Sequence, residues 1–261
     1  MTIALGVTLL VVGFCGAFVA GLLGAGGAFV MIPLLLYIPP LLGVGQLDVK
    51  AVTGVTMAQV LAAASVGMLA HRRHGAVNTQ LVCVGGAAMA VGSFIGALAS
   101  KLASDRALLT VFALMVTGAA ALVFVGAGGD AAREGDAPVS FSRWRAAGVA
   151  GVVGLAAGLV GAGGGFLLVP LFLVIVDVSI RATIGSSLAI VAVAASSGFL
   201  GKLVTAQIPL APTLAVVAGT IPGAQLGAVV SQRLSPFGLR VALFVLLVLT
   251  ALRVWADLLG R

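Results

Sequence analysis

Long apolar runs, each closed by a short polar or proline-containing break, follow one another along almost the whole chain. They cover roughly 3–23, 27–43, 51–70, 79–99, 107–126, 146–160, 164–178, 183–202, 210–230 and 237–257. Several hold 18 or more residues, enough for a helix to cross a bilayer's hydrocarbon core. Alternation of apolar and polar residues is absent, so these are not the strands of a membrane β-barrel. In lipid every backbone polar group must be paired within the protein, which leaves helices. The pattern predicts an all-α polytopic membrane protein. Pro39-Pro40 and the stretch from Gly43 to Lys50 end the second run, and His71-Arg72-Arg73-His74-Gly75 ends the third. Ser100 to Arg106 separates the fourth and fifth, and residues 127–145, with Gly, Pro138, Asp130, Glu134 and Asp136, form the one long polar stretch.

The pattern occurs twice. Residues 21–33 read GLLGAGGAFVMIP and residues 158–170 read GLVGAGGGFLLVP, so that Gly21, Gly24, Gly26, Gly27, Phe29 and Pro33 recur 137 residues later. Further on the offset becomes 131: Lys50-Ala51 matches Arg181-Ala182, Gly54 matches Gly185, Ser65 and Gly67 match Ser196 and Gly198, and Gly92 and Gly96 match Gly223 and Gly227. The chain therefore divides into a first membrane repeat, 1–126, a polar linker, 127–145, and a second membrane repeat, 146–261. Each repeat has about five segments, two of them short and flanking a glycine break. Five is odd, so if all segments cross, the second repeat is inverted; if the short ones re-enter as hairpins, the parity changes. Loop charge favours inversion. It puts the HRRH cluster and the linker with Arg133, Arg143 and Arg145 on the cytoplasmic side, and leaves the 201–207 connection outside with one lysine.

Composition removes the soluble classes: 61% of residues are hydrophobic and 8% charged, and the mean hydropathy is +1.27. The net charge of +7 is spread singly or in small groups between apolar runs. It reads as topogenic charge, with no nucleic-acid partner. Cys15 and Cys83 lack ligand spacing and are expected to be packing residues, with neither a disulfide nor a metal site. The first run lacks a basic leader and is expected to be retained as a span in a bacterial inner membrane.

Candidate chemistry starts at the breaks. Each interior glycine costs a helix about 1 kcal/mol relative to alanine, so Gly24–Gly27 and Gly161–Gly164 are poor continuous helix. Neither completes a dinucleotide-binding G-x-G-x-x-G, since Phe29 and Phe166 stand at the last glycine. Glycine lets backbone approach a ligand closely, and a helix beginning after the break aims free N–H groups and its positive dipole end at an anion. The competing reading is that small residues permit close helix crossing; for a symmetric pair in corresponding segments the site reading is preferred. For Gly92/Gly96 and Gly223/Gly227 the packing reading is preferred. Pro33 and Pro170 are expected in the first turns of the following helices. The candidate substrate-binding set is Gly24, Ala25, Gly26, Gly27, Phe29, Thr56, Gln59, Gly161, Ala162, Gly163, Gly164, Phe166, Ser186 and Ser187. Lys50 and Arg181 either snorkel or draw anions to the two mouths. The acids Asp48, Asp105, Asp130, Glu134, Asp136, Asp177 and Asp257 all fall at segment edges or in the linker. A cation transporter usually keeps a carboxylate at mid-depth, so the substrate is expected to be an anion. No catalytic group, cofactor or metal is expected, and an intramembrane enzyme lacks its Glu, Asp, His or Arg cluster at the breaks.

The paired G-x-x-G-x-G-G-[AG]-F-x-x-x-P motifs, with two halves joined by a polar linker, resemble the sulfite exporter TauE/SafE family over residues 5–256. Ala28, where the second motif has Gly165, is a mild departure. The resemblance implies a permease for a small sulfur-containing anion such as sulfite, a sulfonate or thiosulfate. A passive anion channel is the alternative. Partners are the small anion and the lipid bilayer; a coupling proton or ion and the oligomeric state stay open.

Overall fold

The computed structural model describes residues 2–23, 28–71, 78–125, 141–176, 180–231 and 233–260. Gly24–Gly27, His74 and most of the linker lie outside the described residues, and so does any statement about how they are arranged. Ten α-helices and no strand occur among the described residues. They are α1 (Ile3–Leu23), α2 (Ala28–Leu41), α3 (Val49–His71), α4 (Thr79–Ala99), α5 (Asp105–Val125), α6 (Arg143–Val160), α7 (Gly165–Leu171), α8 (Ile180–Val204), α9 (Leu210–Ser231) and α10 (Pro236–Leu259). Eight are long and apolar enough to cross a membrane; the shorter two are α2 and α7, the latter running on as a π-helical stretch to Val176. The apolar runs read from the sequence coincide with these helices to within a few residues. Ends are sharpened by local chemistry: Asn78 Oδ1 accepts from Leu81 N at 3.0 Å at the start of α4, and Ser235 caps α10 just before Pro236.

Pro33 and Pro170 depart from expectation. Each is the sixth residue of its helix, one turn further in than the first turn. Lacking an N–H, each proline leaves the C=O four residues earlier without its helical donor; those carbonyls belong to Phe29 and Phe166.

Glycines set how close the helices come. A Cβ added at Gly92 or Gly96 of α4 would run into the main-chain oxygens of Gly151 and Leu155 of α6. One at Gly223 or Gly227 of α9 would run into those of Phe14 and Phe18 of α1. The partners keep the offset of the glycine motifs, Phe14 to Gly151 and Phe18 to Leu155, so the same crossing is built twice. The packing reading of these pairs holds. Because the contact numbers rise together, α4 runs parallel to α6 and α1 parallel to α9. Gly198 and Gly201 of α8 meet Ser93 and Ala97 of α4 in the same rising order, so α8 also runs with α4.

These directions sort the helix ends onto two faces. The starts of α4, α6, α8 and α10 lie on the face that carries the linker. The starts of α3, α5 and α9, and the ends of α4, α6 and α8, lie towards the other. Cys15 and Cys83 correct an expectation: both thiols are free and exposed on the outer helix surface, not packed inside. Exposed Leu, Val and Ile side chains along α1, α5, α9 and α10 suit a lipid-facing surface.

Candidate functional site

The second break is formed by backbone that only glycine takes easily. Gly161 ends α6 with φ +77°, and Gly163 and Gly164 follow at φ +62° and +69°, in the left-handed region that costs other residues about 1–2 kcal/mol each. Ala162, between them, bonds its N–H to Ala157 O at 2.9 Å. Residues 161–166 are all buried. The main-chain N–H groups of Gly163, Gly164, Gly165 and Phe166 donate no hydrogen bond among the described residues. An orphan N–H is ordinary at a helix start exposed to water, but a buried one calls for a partner.

Neighbours fix the depth of this turn. Gly161 lies against the main chain of Thr53, so closely that a Cβ there would overlap the Thr53 carbonyl. Gly163 faces the Val60 side chain, and Gly164 faces Met89, Val153 and Ala157. Val60 and Met89 are the middles of α3 and α4, so Gly163 and Gly164 sit halfway along the long helices, while Gly161 is level with the first turns of α3.

The two motifs meet at their phenylalanines. The Phe29 and Phe166 rings lie 5.5 Å apart, tilted by 51°, and both are buried. This geometry contributes about 0.5–1.5 kcal/mol beyond simple burial. A double-mutant cycle with F29L and F166L, read by thermal unfolding, is expected to return a coupling in that range. Additive losses would mean the contact carries no energy of its own.

The structure treats the other candidate residues differently. Thr56 is fully buried on α3, and its hydroxyl donates to Val52 O at 2.8 Å. It stands between Thr53 and Val60 on the flank turned to the second break. Gln59 is fully buried, and neither its Nε2 nor its Oε1 has a hydrogen-bond partner among the described residues, a vacancy costing about 1–3 kcal/mol. Ser186 is not brought to the second break: its hydroxyl accepts from Asn78 N at 3.0 Å and ties α8 to the start of α4. Ser187 is buried beside it. Gly24, Ala25, Gly26 and Gly27 lie outside the described residues.

The sequence reading missed one residue. Lys202, counted above as the lone cation of an outside loop, is in the last turn of α8 and fully buried. Its Nζ donates to Ser100 Oγ at 2.7 Å, Thr53 Oγ1 at 2.9 Å, Leu159 O at 3.1 Å and Gln207 Oε1 at 3.2 Å. Four separate stretches of chain supply these atoms. Leu159 is near the C-terminus of α6, whose dipole end favours a cation. No spacing rule joins residues 53, 100, 159, 202 and 207, so only the fold could show it. Lys50, half-buried, donates from Nζ to Lys101 O at 2.9 Å, while the Arg181 side chain lies outside the described residues. No group of three or more potential metal ligands occurs among the described residues.

Comparison with known proteins places this arrangement. The family model described as Sulfite exporter TauE/SafE matches residues 9–254. A probable membrane transporter protein of Xylella fastidiosa (strain Temecula1) is 30% identical over 252 residues, covering 92% of this chain and 93% of the relative; that of strain 9a5c gives the same figures. The probable membrane transporter protein YunE of Bacillus subtilis (strain 168) is 25% identical over 244 residues, covering 87% of this chain and 89% of its own length. No solved structure matches the chain.

Proposed function

We propose that this chain, which belongs to the sulfite exporter TauE/SafE family, is a secondary permease for a small sulfur-containing oxyanion such as sulfite, a sulfonate or thiosulfate. The chain is an integral transporter of the bacterial plasma membrane, not an enzyme. The observation that carries this reading is the second break, where the N–H groups of four consecutive buried residues find no acceptor among the described residues. Such donors suit an oxyanion and offer a cation nothing. The unpaired Gln59 amide supports the same reading, because a bound polar solute would relieve its vacancy.

In this reading the Gly24–Phe29 and Gly161–Phe166 breaks hold the anion between the repeats, with Thr56 and Gln59 from α3 and Ser187 from α8 as side-chain donors. Ser186 serves as the tether that keeps Ser187 in place. Phe29 and Phe166 form the apolar wall between the two breaks. The repeats, 1–126 and 146–261 around the linker, are inverted. Parallel running of α1 with α9 and of α6 with α4 and α8 supports this, since α8 and α9 are joined by a short turn and so run oppositely. Transport is rocking of one repeat against the other. Arg143, Arg145 and Arg240 at helix starts, with Arg233 in the turn between α9 and α10, support a cytoplasmic assignment for the linker face.

Thermal unfolding of the purified protein against sulfite, thiosulfate, sulfate, sulfoacetate, phosphate, acetate and chloride tests the substrate class. A ligand at 100 times its Kd stabilises by about 2.7 kcal/mol, so a shift confined to sulfur oxyanions is expected. A shift with acetate or phosphate instead would refute the sulfur assignment. In proteoliposomes, accumulation of the stabilising anion against its gradient is expected of a permease; flux that only ever runs downhill would make it a channel.

A further inference from the structure

Resting on the reading of the chain as an anion transporter, we propose that Lys202 and its polar ring form a second anion subsite. It lies on the face opposite the linker and takes the oxyanion before it reaches the glycine break.

The Lys202 amine lies inside the span of α8, and its four hydrogen-bond partners are all neutral: two hydroxyls, one amide oxygen and one main-chain carbonyl. Of the acids among the described residues, Asp48 and Asp105 are exposed to solvent, and none bonds Lys202. A buried ammonium without a counter-charge among the described residues is expensive, and ionisable groups within membrane spans mark solute pathways. An arriving anion would supply the missing charge.

The ring is built to accept the exchange. An oxyanion can replace Leu159 O and Gln207 Oε1 as acceptors of the ammonium. The Thr53 and Ser100 hydroxyls now donate to Lys50 O at 2.8 Å and Ala97 O at 2.6 Å, and each can rotate to donate to the anion. Gln207 Nε2, which now reaches Ser100 Oγ at 3.0 Å and Thr205 Oγ1 at 2.8 Å, is a further donor. The ring also ties together the ends of α4, α6 and α8 and the start of α3, so loosening it loosens this face. The ring abuts the start of the break: Leu159 is two residues before Gly161, and Gly161 lies against Thr53.

The test uses the whole chain and the same anion panel. K202M removes the charge and keeps most of the side chain's length; K202R keeps the charge; S100A removes one ring donor. Affinity for whichever anion stabilises the native protein is expected to fall about 10- to 100-fold in K202M, as for a lost charge-assisted contact, and to stay within a few-fold in K202R. Melting of the anion-free K202M should stay within a few degrees of native. Unchanged affinity together with a lowered anion-free melting temperature would overturn the subsite and make Lys202 a structural tether. If K202M does not fold, S100A decides: several-fold weaker binding supports the subsite, and native affinity overturns it. Sulfur oxyanions binding K202M as tightly as native would sink the subsite and spare the permease reading. Loss in K202M of binding to acetate or chloride alone would do the reverse. No stabilisation of the native protein by any anion would sink both.

Discussion

Replacing Gly163 by valine is expected to reduce oxyanion flux in proteoliposomes at least about 100-fold, while the protein still inserts and purifies. The position combines two constraints. Its φ of +62° is costly for any side chain and most of all for a β-branched one. A Cβ there would also overlap the Val60 side chain. The turn must then shift, carrying the N–H groups of Gly163 and Gly164 with it. A hydrogen bond to a charged partner contributes about 1.5–3 kcal/mol, and each 1.4 kcal/mol is tenfold in affinity. Losing two such bonds therefore exceeds a hundredfold. Insertion follows segment hydropathy, which valine does not lower. Normal flux in G163V would show that the break is not the site.

The second large effect concerns folding. Gly96 exchanged for leucine is expected to lower the yield of monodisperse protein severely, with a loss of about 3 kcal/mol or more from overpacking. A side chain at 96 has only the Leu155 carbonyl and the α6 backbone to meet, and backbone cannot turn aside as a flexible side chain can. The repeat-related change at Gly227, against Phe18 of α1, is expected to do the same. Gly118 of α5 is the control: nothing lies within reach of a Cβ there, so G118A should be neutral or raise stability by up to about 1 kcal/mol through helix propensity. Size-exclusion profiles and thermal unfolding of the three variants decide the matter. Equal behaviour of G96L and G118A would mean that α4 and α6 are not held by this contact.

Much of the fold was legible because lipid makes the rules local. Segment lengths, the doubled glycine motif and the role of Gly92/Gly96 all follow from spacing along one helix. The site was legible only in part. Phe29 and Phe166 could be paired by analogy of position, and they meet at 5.5 Å. The tie from Ser186 to Asn78 N was not legible, because the two stand 108 residues apart. Cys15 and Cys83 were misjudged because the hydrophobicity that puts a residue inside a soluble protein puts it outside in a bilayer.

What the sequence determined by itself is therefore the helical class, the helix positions, the doubled glycine motif and the break at its second copy. Each rests on hydropathy, chirality or propensity acting within a few residues. What only the tertiary structure decided is which polar atoms converge. Lys202 reads as a loop cation in the chain and is a fully buried ammonium in the fold. Its acceptors come from residues 53, 100, 159 and 207, brought together by helix crossings at glycine, and no local pattern encodes that meeting.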